Sequence, residues 1–181
     1  MDHNSIQTKK RCRLWTTLGF VVMLGTGHAY GESALVSEYS VSLSLAQQAA
    51  AAAVAKCQHD GYRVSAAVVD AGGNIKALLR ADGAGPHTQD SSFKKAYTAA
   101  SLRRSTNELA ALIVKIPEIQ ALRDMNDRIL ILGGGLPIVI EGKVVGGIGV
   151  GGAPGAHLDE ACARAGLTRI GAALPQTQHE K

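Results

Sequence analysis

The sequence predicts an α+β fold in which a central antiparallel sheet is flanked by helices. Three observations carry that prediction. Strand-like runs come in pairs joined by tight turns, which makes hairpins and hence antiparallel pairing. Helical patterns stand before, between and after those pairs, not after each strand, which is the order of α+β and not of βαβ units. The composition is that of one soluble globular domain, with 181 residues, 46% of them hydrophobic and 19% charged.

The elements follow in order. Ser44-Leu45-Ala46-Gln47 fits a capping box, with Ser44 as N-cap and Gln47 at N3. An Ala-rich helix runs on to about Asp60, where Gly61 is a natural stop. Ala supplies helix propensity without bulk, so this helix is suited to close packing on a sheet. Tyr62 to Asp70 and Ile75 to Ala81 read as strands joined by the turn Ala71-Gly72-Gly73-Asn74. After the Gly/Pro-rich break at 82–86, Thr88 caps a second helix over Gln89 to Leu102. Phe93, Ala96, Tyr97 and Ala100 share one face of it. Ser105 or Thr106 opens a shorter helix through Leu112. Pro117 interrupts, and Glu118 to Asp127 reads as mixed helix or loop. Arg128 to Leu132 is strand-like, and Gly133-Gly134-Gly135 turns the chain. Leu136 to Ile140 and Lys143 to Val150 make a hairpin about Glu141-Gly142, and a last helix spans His157 to Ala173. Ile138 to Ile140 and Val144 to Val150 are rich in apolar positions; they read either as surfaces for self-association or as internal core.

Residues 1–31 read as a secretory leader. Lys9, Lys10, Arg11 and Arg13 form a basic region, Leu14 to Gly27 is mostly apolar but short of the ~20 residues of a bilayer span, and Ala29-Tyr30-Gly31 offers small residues for cleavage. The other reading is an uncleaved N-terminal anchor. Cleavage after Gly31 lowers the formal charge from +4 to +1, because those four cations leave with Asp2. No basic stripe for nucleic acid remains, and aromatics, at 4%, are too few for a base-stacking platform. Cys57 and Cys162 survive cleavage and would meet an oxidising compartment. Both fall on predicted helices, so a disulfide and two separate buried thiols both stand as readings.

Few motifs carry chemistry. Gly147-Ile148-Gly149-Val150-Gly151-Gly152 has the letters of a dinucleotide fingerprint. It ends at Pro154-Gly155 instead of opening directly into a helix, and it lacks the acid about 20 residues on that this function needs. Its glycines fit a crowded strand that another backbone approaches. The histidines make no zinc spacing, and no G-x-S-x-G elbow is present. His87, in the Gly/Pro-rich loop ahead of a helix, is either a ligand donor or an ordinary loop histidine. His157 starts the last helix in a similar position. Of Lys94 and Lys95, one reads as solvated and one as partly buried. Arg103 and Arg104 beside Ser105-Thr106 offer a seat for a carboxylate, or merely favourable charge at a helix end.

The segments VVDAGGNIKALLRADGA, SFKKAYTAA, ILGGGLPIVIEGKVVGGIGVGGA and LDEACARAGL occur in that order. Together they resemble the GlcG/HbpS-like family, also called the haem-degrading domain family, which is related to the C-terminal domain of PduO-type proteins. The resemblance covers residues 43–174, with 32–42 as an N-terminal extension and 175–181 as a polar tail. It implies a profilin-like layout and a homo-oligomer. It further implies a secreted or periplasmic haem-binding protein with a weak haem-degrading or redox-sensing role and haem as cofactor. On that reading His87 is the axial donor, with His157 as the other candidate metal ligand. Arg80, Lys95, Arg104 and Thr106 then surround the propionates. The alternatives are an accessory protein that binds a small organic acid, as GlcG members suggest, and a structural oligomer without ligand. No catalytic residue is singled out.

Overall fold

The structure is a computed structural model that describes residues 35–175; the expected leader, residues 1–31, lies outside them, as does the tail beyond Pro175. The chain divides into two units, 1–36 and 37–181, and the second carries every regular element found among the described residues. These are α1 (Leu43–His59), β1 (Ser65–Asp70), β2 (Ile75–Arg80), α2 (His87–Leu102), α3 (Thr106–Lys115), a 3₁₀ segment (Pro117–Asp124), β3 (Gly135–Ile140), β4 (Lys143–Gly151) and α4 (Ala156–Arg169). The four strands form one antiparallel sheet in the order β2-β1-β4-β3. The layout is α+β, as expected.

Glycine decides how the layers meet. A Cβ on Gly149 would lie 2.5 Å from the Ala96 nitrogen and closer still to the Ser92 carbonyl oxygen; one on Gly147 would lie 3.0 Å from the Ala100 nitrogen. The backbone of α2 therefore rests directly on β4, which no side chain in these positions would permit. The glycine-rich run is a packing surface, and the nucleotide reading falls away. Between those glycines, Ile148 and Val150 point to the opposite face. There they join Ala46, Ala49, Ala50 and Ala53 of α1 and Ala163 and Leu167 of α4 in the main core. Small residues again set the distance: a Cβ on Gly166 would lie 2.6 Å from the Ala49 carbonyl oxygen. Cys57 and Cys162 close a disulfide across this α1–α4 contact, with Cα atoms 5.5 Å apart, so the bridged reading holds.

Several expectations are corrected. Ser42, not Ser44, caps α1, its hydroxyl accepting from the Leu45 N–H. The reason lies one residue earlier: the Val41 N–H bonds the Val145 carbonyl, which keeps the chain extended until the cap. The second helix starts at His87, and Thr88 lies inside it, donating its hydroxyl to the Gly85 carbonyl. Arg128 to Leu132 is no strand. Ile129 is buried, but the Leu130 N–H bonds the Thr98 hydroxyl of α2, so this segment is satisfied by a helix and not by a sheet. The last helix stops at Arg169, because Gly171 adopts φ +67° and Ala173 then bridges to Val139. Ile138, Val145, Ile148 and Val150 are buried core, so the apolar runs read as surfaces for self-association are internal.

Candidate functional site

The corner where β2 hands over to α2 gathers two of the expected residues. Arg80 ends β2 and donates from Nε and Nη2 to the Ala84 carbonyl. His87, exposed, opens α2. Its imidazole folds back over Gly85, where an added Cβ would lie 2.6 Å from Cε1. Ser65 and Thr88 share a 2.7 Å hydroxyl bond beneath this corner and tie α2 to β1. His157 repeats the device at the start of α4: it is exposed, and a Cβ on Gly155 would lie 2.8 Å from its Cε1.

The other expected residues go elsewhere. Lys95 does not reach the surface. It is 1% exposed, and its ammonium donates to the Val150 carbonyl at 2.9 Å and to Asp159 Oδ2 at 2.8 Å. Asp159 Oδ1 accepts from the Ala153 N–H. Lys95 thus crosses the end of the sheet from α2 to α4, and its place among the propionate cations is a misreading: α2 is pressed too closely on β4 for that face to be solvated. Burial pushes the Asp159 carboxyl up, while the Lys95 ammonium works against the rise. Thr106 is also internal; its hydroxyl accepts from the Gly135 N–H at 2.8 Å. Arg104 is exposed at the far end of α2, away from the corner.

Sequence reasoning missed Asp159 as the partner of Lys95. The only signal was indirect, in Gly134, where a Cβ would meet both the Asp159 Cβ at 2.7 Å and the Lys95 Nζ at 3.1 Å. It also missed the outer face of β2, where Ile75 and Leu78 are 51% and 36% exposed. A further cleft, of about 410 Å³, lies at the opposite end of α2, lined by Tyr39, Arg103 and Lys143 among others. Among the described residues, no group of three or more His, Cys, Asp or Glu is placed to hold a bare metal ion.

The sequence profile described as haem degrading protein HbpS-like matches residues 41–168. The chain belongs to the HbpS-like family. Its HbpS-like domain superposes on a double mutant of Streptomyces reticuli HbpS with a TM-score of 0.71 and 44% identity, covering 76% of this chain and 91% of that one. Protein GlcG of Escherichia coli is 34% identical over 117 residues, 59% of this chain and 80% of GlcG. PduOC, in a crystal structure of its complex with heme, matches with a TM-score of 0.69 and 25% identity, over 76% of this chain and 99% of that one.

Proposed function

We propose that this HbpS-like chain binds haem outside the cytoplasm, with His87 as the axial donor. The observation that carries the reading is the likeness to PduOC, which holds heme on the same fold over nearly its whole length. The residues present fit such a group. A haem iron takes four donors from the porphyrin and needs from the protein only an axial ligand, which a lone exposed imidazole supplies. A bare ion would need the clustered ligands that the described residues lack. Arg80 stands at the same corner as His87 and offers a cation to a propionate. The leader-like first 31 residues and the disulfide support export to an oxidising compartment.

The test is a haem titration followed in the Soret region. Saturation at one haem per chain, weakened by His87→Ala and not by His157→Ala, is the expected result. Spectra of free haem throughout would end the proposal, and loss of binding in His157→Ala alone would move the donor to α4. Haem breakdown is a separate reading, tested by whether the Soret band of the loaded protein decays when reductant and oxygen are supplied.

The cleft beside Arg103 and Lys143 favours a second reading, a small organic acid. Neither cation forms an ion pair among the described residues, although Glu38 also lines the cleft; Lys143 is held over the Tyr39 ring at 3.4 Å. Calorimetry with simple carboxylates, on wild type and Arg103→Ala, tests it.

A further inference from the structure

We infer that the ligand's apolar ring lies on a ledge formed by the open face of β2 and the flank of α2; the inference rests on the haem reading above. The ledge follows from sheet order and register. β2 is an edge strand, and α2 lies across β1, β4 and β3. Leu78 pairs with Ala67 and Ile75 with Val69, so both side chains share the face on which Ala67 and Val69 pack beneath α2. Ile75 reaches that face only because the pairing shifts between Val68 and Val69, leaving Lys76 as the unpaired residue of a bulge. Without the bulge a lysine would stand in its place.

The result is a step. Its floor is Ile75 and Leu78, more than a third exposed in a sheet whose other strands bury this face. Its wall is the half-buried pair Phe93 and Tyr97, with ring centroids 6.2 Å apart. A cation stands at each end. Arg80 faces the same side, opposite Ser65, and its Nη1 has no partner among the described residues. The Arg128 guanidinium lies 5.0 Å from the centre of the Tyr97 ring and meets no carboxylate among the described residues. Ile75 and Arg80 are about 16 Å apart along the strand. An apolar floor, an aromatic wall and a guanidinium without a carboxylate partner suit a flat apolar molecule whose carboxylates share one edge, such as haem, with that edge turned to one of the two cations.

The experiment measures haem affinity by Soret titration, and mass by sedimentation, for wild type and for Ile75→Asp, Leu78→Asp and Arg128→Gln. Val114→Asp, a change at an exposed residue of α3 (77%), is the control. Circular dichroism confirms that each variant is folded, as expected for exposed positions. The ledge predicts on the order of tenfold weaker binding for each aspartate variant, since each sets a charge against apolar surface worth that much, a smaller loss for Arg128→Gln, and none for Val114→Asp. Unchanged haem affinity in both aspartate variants overturns the ledge while the haem reading stands. If affinity is unchanged but the aspartate variants lose mass in sedimentation, the ledge is a contact between copies and the inference is wrong. If wild type binds no haem, the functional reading fails first and takes the ledge with it.

Discussion

Reducing the Cys57–Cys162 disulfide should cost a large part of the domain's stability. The bridge spans a sequence separation of 105 residues. In the chain-entropy account a loop of that size removes about 4.7 kcal/mol of freedom from the unfolded chain, against a total stability of roughly 5–15 kcal/mol for a domain. The folded side changes little, because α1 and α4 still pack through Ala49, Ala50 and Gly166. With a urea slope of ~2 kcal/mol per molar, the midpoint should fall by about 2 M. Urea titrations followed by circular dichroism, with and without reductant, give that shift; Cys57→Ala/Cys162→Ala should reproduce it without reductant. Both sulfurs are fully buried, so reduction must be carried out in urea before refolding. Of the three cysteines in the chain, Cys12 belongs to the expected leader, so the chain cleaved after Gly31 should show no reactive thiol after denaturation without reductant. Two reactive thiols there, or coincident midpoints, would refute the reasoning.

Gly149→Ala should destabilise by roughly 2–3 kcal/mol or more, since the new methyl group meets helix backbone that cannot move aside. Gly72→Ala, whose methyl group meets only the Asn74 and Asp70 side chains, should cost less than about 1 kcal/mol; equal costs in urea titrations would count against the packing argument. Asp159→Ala strands the buried Lys95 ammonium and should cost about 3–5 kcal/mol, most of it recovered in Lys95→Met/Asp159→Leu. A double variant as unstable as the single one would show that the pair acts otherwise. The pH dependence follows from the raised Asp159 carboxyl. The folded state then holds a proton that the unfolded chain releases near its ordinary value, so stability is full below that value and is lost as pH rises through the folded one. Lys95→Met removes the opposing cation and raises the folded value further. That variant should gain urea stability from pH 7 to pH 5 more steeply than wild type; the reverse slope would contradict the burial argument.

The sheet was legible because its signals are local. The hairpin turns at 71–74 and 141–142 appear as written. The alternating glycines of β4 announced a close approach before the helix that makes it was known. What failed was local pattern that a distant partner overrides. Ser44 is as good a cap as Ser42 by composition, and the choice is made by the Val41 bond to β4. Arg128 to Leu132 has strand composition, but its Leu130 N–H is taken by the Thr98 hydroxyl of α2, and the outer side of β3 meets Ala173 in a single bridge at Val139 instead. Lys95 and Asp159 lie 64 residues apart; the sequence marks one of Lys94 and Lys95 as partly buried, but nothing in it pairs that lysine with Asp159.

The two candidate donors show the same limit more sharply. His87 and His157 stand in unrelated sequence contexts, yet each follows the pattern Gly-x-His and lays its ring over that glycine at the start of a helix. Local geometry therefore does not choose between them; their surroundings do. The first turn of α4 brings Asp159, already committed to Lys95, and beyond it Glu160, paired with Arg164 at 2.7 Å. The cations that these two acids meet, Lys95 and Arg164, are thereby taken. The α2 corner instead places His87 two residues beyond Gly85, next to the Ala84 carbonyl that holds Arg80. The acid of its first turn, Asp90, makes no ion pair among the described residues, so that corner is not free of negative charge. Its advantage is that an imidazole and a guanidinium with an unused donor stand at the two ends of one short loop, and an iron porphyrin uses both, one at its iron and one at its propionate edge.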